Sequence, residues 1–163
     1  MVASTPSTVL LKGSDHVMFV EHVAGGTILP GMLIALGSAG TVAAHGVAGG
    51  SAPERMFAIE DDLQGRGITD SYDATTHKLV RAVICPPGTE LYALIAANAS
   101  IVIGDKLESN GNGYLREHVV QSPGAGATSP AVGIRVDQVV AIALEAKDST
   151  SPVGATRLKV RVI

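Results

Sequence analysis

Tryptophan is absent from the 163-residue chain, and three tyrosines and two phenylalanines are its only aromatic residues. So few rings exclude a stacking platform for nucleic-acid bases or sugars. Positive charge is sparse too, with 12 Lys and Arg against 15 Asp and Glu and a formal net charge of −3. No basic cluster reaches the density needed to track a phosphate backbone, so nucleic acid is not an expected partner. A single cysteine, Cys85, excludes an internal disulfide. The opening residues, Met1-Val2-Ala3-Ser4-Thr5-Pro6, lack the basic region and apolar run of a signal peptide. The longest uncharged stretch, 23–53, is broken by Gly25-Gly26, Pro30-Gly31, Gly37 and Gly49-Gly50. It cannot form the ~20-residue apolar helix of a membrane span. These absences lead to the expectation of a soluble protein made in a reducing cytoplasm, with no membrane partner.

What is present is aliphatic. Hydrophobic residues make up 46% of the chain and charged ones 17%, which excludes disorder over most of its length. A chain of this size buries roughly 70% of its unfolded surface, so its core needs no metal or disulfide. Nineteen glycines and eight prolines, with 22 alanines and 30 valines and isoleucines, describe short extended segments joined by tight turns. The expected fold class is all-β: a small barrel or sandwich-like domain over 14–163, preceded by an extended N-terminal arm over 1–13. In the arm, Val9, Leu10 and Leu11 are the only apolar anchor, available to strap onto a neighbour.

Strands are expected at 16–23, 27–29, 32–36, 41–45, 55–60, 78–84, 90–95 and 101–103. Pro30-Gly31 sets a type II turn, because proline fixes φ and glycine accepts φ > 0. A short helical turn is expected at 96–100, a hairpin at Asn110-Gly111-Asn112-Gly113, and a loop at 122–130. Residues 132–144 read as a buried strand with a bulge. In the closing strand, Leu158, Val160 and Val162 fall on one face and Arg157, Lys159 and Arg161 on the other. That pattern is a half-buried strand with a solvated basic face, an edge blunted by charge, or a positive stripe that meets an acidic surface.

No catalytic constellation assembles from the sequence. Cys85 has no visible cationic or basic partner to hold a thiolate. The five histidines are scattered, and no zinc or calcium spacing occurs. Gly104-Asp105-Lys106 lacks the rest of a phosphate loop. The expectation is a non-enzyme without metal or cofactor. The acidic run Glu60-Asp61-Asp62 and the following Leu63-Gln64-Gly65-Arg66-Gly67 read as a solvated loop or as an interaction loop with Arg66 projecting.

Several segments in order resemble the capsid cement, or head decoration, proteins of tailed bacteriophages. These are Ile28-Leu29-Pro30-Gly31-Met32-Leu33 and Phe57-Ala58-Ile59-Glu60-Asp61-Asp62-Leu63-Gln64-Gly65-Arg66-Gly67-Ile68. The match continues through Gly104-Asp105-Lys106-Leu107-Glu108-Ser109, Gly113-Tyr114-Leu115 and Ala143-Leu144-Glu145-Ala146. It runs from about residue 15 onward. Tyr72-Asp73-Ala74-Thr75-Thr76 departs from the family, which usually has a Gly-Asp turn there. The resemblance implies a small β-barrel that trimerises on the outside of the head, at threefold and quasi-threefold positions. There it would bridge neighbouring major capsid proteins, the expected partners besides a second copy of the chain.

On this reading the interface candidates are Val9, Leu10 and Leu11 of the arm, Glu60, Asp61, Asp62, Leu63, Arg66 and Ile68 of the loop, and Arg157, Lys159 and Arg161. Asp61 or Asp62 of one subunit would pair with Arg66 or the basic strand of another. The alternatives are a virion- or surface-displayed module for host attachment and a small enzyme dependent on Cys85.

Overall fold

The computed structural model describes residues 5–119, 138–148 and 156–163. The expected loop at 122–130 and the first part of the 132–144 strand lie outside them. Thirteen strands are present among the described residues, and the only helical element among them is a single 3₁₀ turn, Asp62–Gln64. The chain is therefore almost all-β, as its composition implies.

Two barrels account for nearly all of these strands. The first is built from β2 (Met18–Ala24), β3 (Leu33–Leu36), β4 (Thr41–Ala44), β5 (Met56–Ala58) and β6 (Leu79–Ile84). Its order is β2-β4-β3-β5-β6, and β6 pairs back to β2 over six residues to close it. The second uses β7 (Glu90–Ile95), β9 (Lys106–Ser109), β10 (Leu115–Glu117), β11 (Val139–Ala143) and β13 (Thr156–Val162). In it β7-β10-β9-β11-β13 form a ring, closed by the antiparallel pairing of β13 with β7. β1 (Leu10–Lys12) adds to β7, while β8 (Ser100–Ile101) pairs with β12 (Lys147–Asp148). The sequence thus reads as one barrel, and the chain builds two.

The reason lies in strands that bury both faces. Ile34, Met56, Ala58, Val80 and Ala82 point into the first barrel with Tyr72 and Ile28. Their neighbours Leu33, Phe57 and Val83 point the other way, into a core that also holds Leu91, Ala93, Ile95, Leu107, Leu158, Val160 and Val162. Alternation of side chains along a strand makes this possible. β3, β5 and β6 are the wall between the barrels, and apolar residues on both faces are what such a wall requires.

Turn chemistry fixes the joints. Gly31 has φ +89, and the Met32 N–H donates to the Leu29 carbonyl at 3.1 Å, as expected of Pro30-Gly31. This turn lodges against the second barrel, where a Cβ on Gly31 would stand 3.1 Å from the Tyr92 carbonyl oxygen. Asn110-Gly111-Asn112-Gly113 joins β9 to β10, and the register slips between Val139 and Ala141, which is the expected bulge. Residues 96–100 differ from expectation. Ala97-Asn98 form a turn with Asn98 at φ +61 and Ser100 already opens β8, because a left-handed residue stops helix propagation. Val102 and Ile103 are exposed on the following turn, which Asp105 organises by accepting the Val102 N–H at 2.8 Å. In the segment that departs from the cement pattern, Asp73 accepts N–H bonds from Thr75 and Thr76 and closes the turn.

Candidate functional site

The acidic loop becomes a rigid knuckle. Asp61 caps the 3₁₀ turn, its carboxylate accepting the Leu63 N–H at 3.1 Å and the Gln64 Nε2 at 2.5 Å. Gly65, at φ +66, turns the chain back so that Asp61 and Arg66 exchange two backbone hydrogen bonds, 2.9 and 2.8 Å long. Leu63 is left at the tip, 92% exposed. A lone surface leucine is ordinary. Here it is held at a fixed point, between an exposed Asp62 and a half-buried Arg66. Neither charge forms an ion pair among the described residues.

Asp61 itself is only 2% exposed. Its carboxylate is consumed by the cap, so pairing of Asp61 with a second subunit, expected above, gives way to Asp62 as the available acid. Glu60 also turns inward, accepting the Thr8 hydroxyl and, at 2.9 Å, the Val9 N–H. Val9 is fully buried in the chain's own core, and its carbonyl accepts the Tyr92 N–H at 2.7 Å. Leu10 and Leu11 stay half-buried on β1. Ile68 packs against the second core.

Arg157 departs most from its expected role. It donates to the Pro30 carbonyl at 2.6 Å and to the Ile68 carbonyl. Burial pushes its guanidinium below the usual arginine range. Arg157 is a half-buried tie between the second barrel, the 29–32 turn and the segment after the knuckle. Lys159 is half-buried, and Arg161 pairs with Glu90 at 2.9 Å on the adjacent strand. β13 lies between β7 and β11, so it is no edge, and its basic face is largely spent within the chain. The structure thus brings Val9, Glu60, Ile68 and Arg157 together as scaffold. It leaves Asp62, Leu63 and Arg66 facing outward.

Two surfaces escape the sequence reading. On the outer wall of the first barrel, Phe19 and Val23 of β2 and Leu79 of β6 are exposed, with the Arg81 guanidinium 5.3 Å from the Phe19 ring centroid. The signal was present, because β2 is apolar at both parities, yet nothing local says that its outer face lacks cover. The second is a cleft of about 320 Å³ beside β3. Its lining is mixed, with Leu36, Ala52 and Pro53 beside His45, Glu54 and Arg55. Arg55 sits at φ +43, a conformation that costs a non-glycine residue about 1–3 kcal/mol and has no signature in sequence.

Several chemically capable side chains are engaged in structural contacts. Cys85 is buried, and desolvation pushes its thiol up to about 12, which withholds the thiolate a nucleophile needs. His45 is held between the Ser109 hydroxyl at 2.8 Å and the Ser51 carbonyl at 3.0 Å. Buried Glu108 accepts Arg116 at 2.7 Å and meets His118 Nδ1 at 2.6 Å. Among the described residues no three His, Cys, Asp or Glu side chains come together as metal ligands.

No family model matches the chain, and no curated protein matches it in sequence. Its fold does have a counterpart among solved structures. It is similar to the N base of head fiber gp8.5 of bacteriophage phi29, with a TM-score of 0.53 and 10% identity, over 90% of this chain and 94% of that one. At that identity the likeness is one of fold, and it is a fold used by a protein of a phage head.

Proposed function

We propose that the chain is a structural component of a tailed-phage virion that binds the outer surface of the head as a homotrimer and bridges neighbouring major capsid proteins. The observation that carries this reading is the shared fold with a head fiber base over nine-tenths of both chains. The ordered segments resembling cement proteins, from Ile28 through Ala146, support it independently. A double barrel with few open strand edges suits a protein whose work is to persist, and it asks for no catalytic group. Three modest contacts per trimer act together through high effective concentration, so each can be weak while the assembly holds. Ties of this kind resist internal pressure because separating capsomers must also break them.

The test is to mix purified protein with undecorated expanded heads and sediment the heads. Co-sedimentation at saturating, threefold-related copy number, with slower release of packaged DNA on heating, is the expected result. Heads that pellet without the protein, at salt low enough to preserve surface ion pairs, overturn the reading. The neighbour's place in a head fiber favours a second reading, a displayed module that contacts the host. Binding to host cells in the absence of heads would select it.

A further inference from the structure

The knuckle and the cleft are each built from apolar side chains beside one acid and one base. One is a single aliphatic side chain, Leu63, projecting between an acid, Asp62, and a base, Arg66. The other is a recess roomy enough for a branched side chain, where Leu36, Ala52 and Pro53 share the lining with His45, an acid, Glu54, and a base, Arg55. None of these four charges has an ion-pair partner among the described residues. Leu63 stands clear of its own chain, so knuckle and cleft do not meet within one copy. Both are braced by hydrogen bonds: Asp61 caps the first, and in the second the Arg55 N–H donates to the Ala52 carbonyl at 3.2 Å while its carbonyl accepts the Cys85 N–H at 3.3 Å.

We propose that copies of this chain associate head to tail, with Leu63 of one seated in the Ala52-Pro53 cleft of the next, Asp62 facing Arg55 and Arg66 facing Glu54. The proposal rests on the self-association in the function above and names the surfaces that perform it. Because one patch meets a different patch, the contact is heterologous, and such contacts close into rings when the rotation allows. Burial of one leucine side chain supplies the affinity, and the two exposed ion pairs set the register.

Single-cysteine trapping tests the geometry. Cys85 is buried and does not compete, so Leu63→Cys and Pro53→Cys can be made in the full chain. Under mild oxidation, an equimolar mixture of the two gives disulfide-linked pairs, whereas neither variant alone does. Leu63→Asp weakens self-association roughly ten- to hundredfold in sedimentation equilibrium, the effect of losing one buried leucine. Asp62→Arg and Arg55→Asp each weaken it by a few-fold, and the double variant restores it.

The proposal is overturned if Leu63→Cys alone cross-links to itself, if the mixture gives no cross-link, or if the wild-type chain is monomeric at every concentration. It is also overturned if Leu63→Asp keeps the wild-type mass while Phe19→Asp loses it, which would assign the contact to the outer face of the first barrel. Head sedimentation separates the two readings. Cross-linking without head binding keeps this inference and removes the capsid role, and head binding without cross-linking does the reverse.

Discussion

Tyr72 shows how much one side chain carries here. Its ring fills the first barrel, and its hydroxyl donates to the Ile59 carbonyl at 2.7 Å, just before the knuckle. Tyr72→Phe leaves that carbonyl unpaired, and a loss of about 1–3 kcal/mol in urea unfolding is expected. Burial pushes the phenol up to about 12 and the Cys85 thiol to about 12, from ordinary values of 10.0 and 9.0. Both groups hold their protons more tightly folded than unfolded, so the unfolded chain ionises first as pH rises. Their contribution is therefore intact below about pH 9 and is lost between there and about 12. The slope is about 1.4 kcal/mol per pH unit for each group while it is ionised only in the unfolded chain. Urea midpoints measured from pH 8 to 11 should fall accordingly, and Cys85→Ala should delay the onset by about one pH unit. In sequence, Tyr72 is just a tyrosine in a loop. Its partner lies thirteen residues away, and spacing alone does not join the two.

Elements with local causes were legible before the fold was known. The β7 strand is found at 90–95 as expected, and the alternation that defines β13 sorts its residues into a buried apolar face and a basic face. The 110–113 hairpin follows from glycine placement, and the bulge expected in the 132–144 run is found in the register of β11 with β9. What the sequence hides is how charges are spent. Glu60, Asp61 and Asp62 are three like residues in a row, yet one clasps the arm, one caps the knuckle and one faces solvent. Arg157 looks like its alternating neighbours until the 29–32 turn arrives from 127 residues away. The cap yields a prediction at this scale. Asp61→Ala should cost about 0.5–2 kcal/mol, the usual value of a lost capping side chain. Amide exchange should accelerate at Leu63, Gln64 and Gly65, while β6 and β7 keep their protection.

As a whole molecule, the two barrels are joined by a shared wall. Phe57 projects from β5 of the first barrel into the core of the second. Phe57→Ala should destabilise by about 3–5 kcal/mol. Because that wall belongs to both barrels, the loss should appear as one cooperative transition with coincident probes in each barrel, not as unfolding of the first barrel alone. Independent transitions in hydrogen exchange would show that the wall transmits less than its packing implies. That the fold is all-β could be read from composition. The doubling could not, since apolar residues on both faces of a strand fit one thick core as well as two thin ones.

The closure of the second barrel also has a consequence in time. β7 ends at Ile95, and the strand that seals its flank, β13, begins at Thr156, about sixty residues further along. At about 5–20 residues per second, a ribosome needs several seconds to make that stretch. Throughout that interval the flank of β7 offers unpaired backbone groups. A nascent chain is therefore exposed to strand addition by its neighbours on the same polysome until its last described strand emerges and shuts the ring.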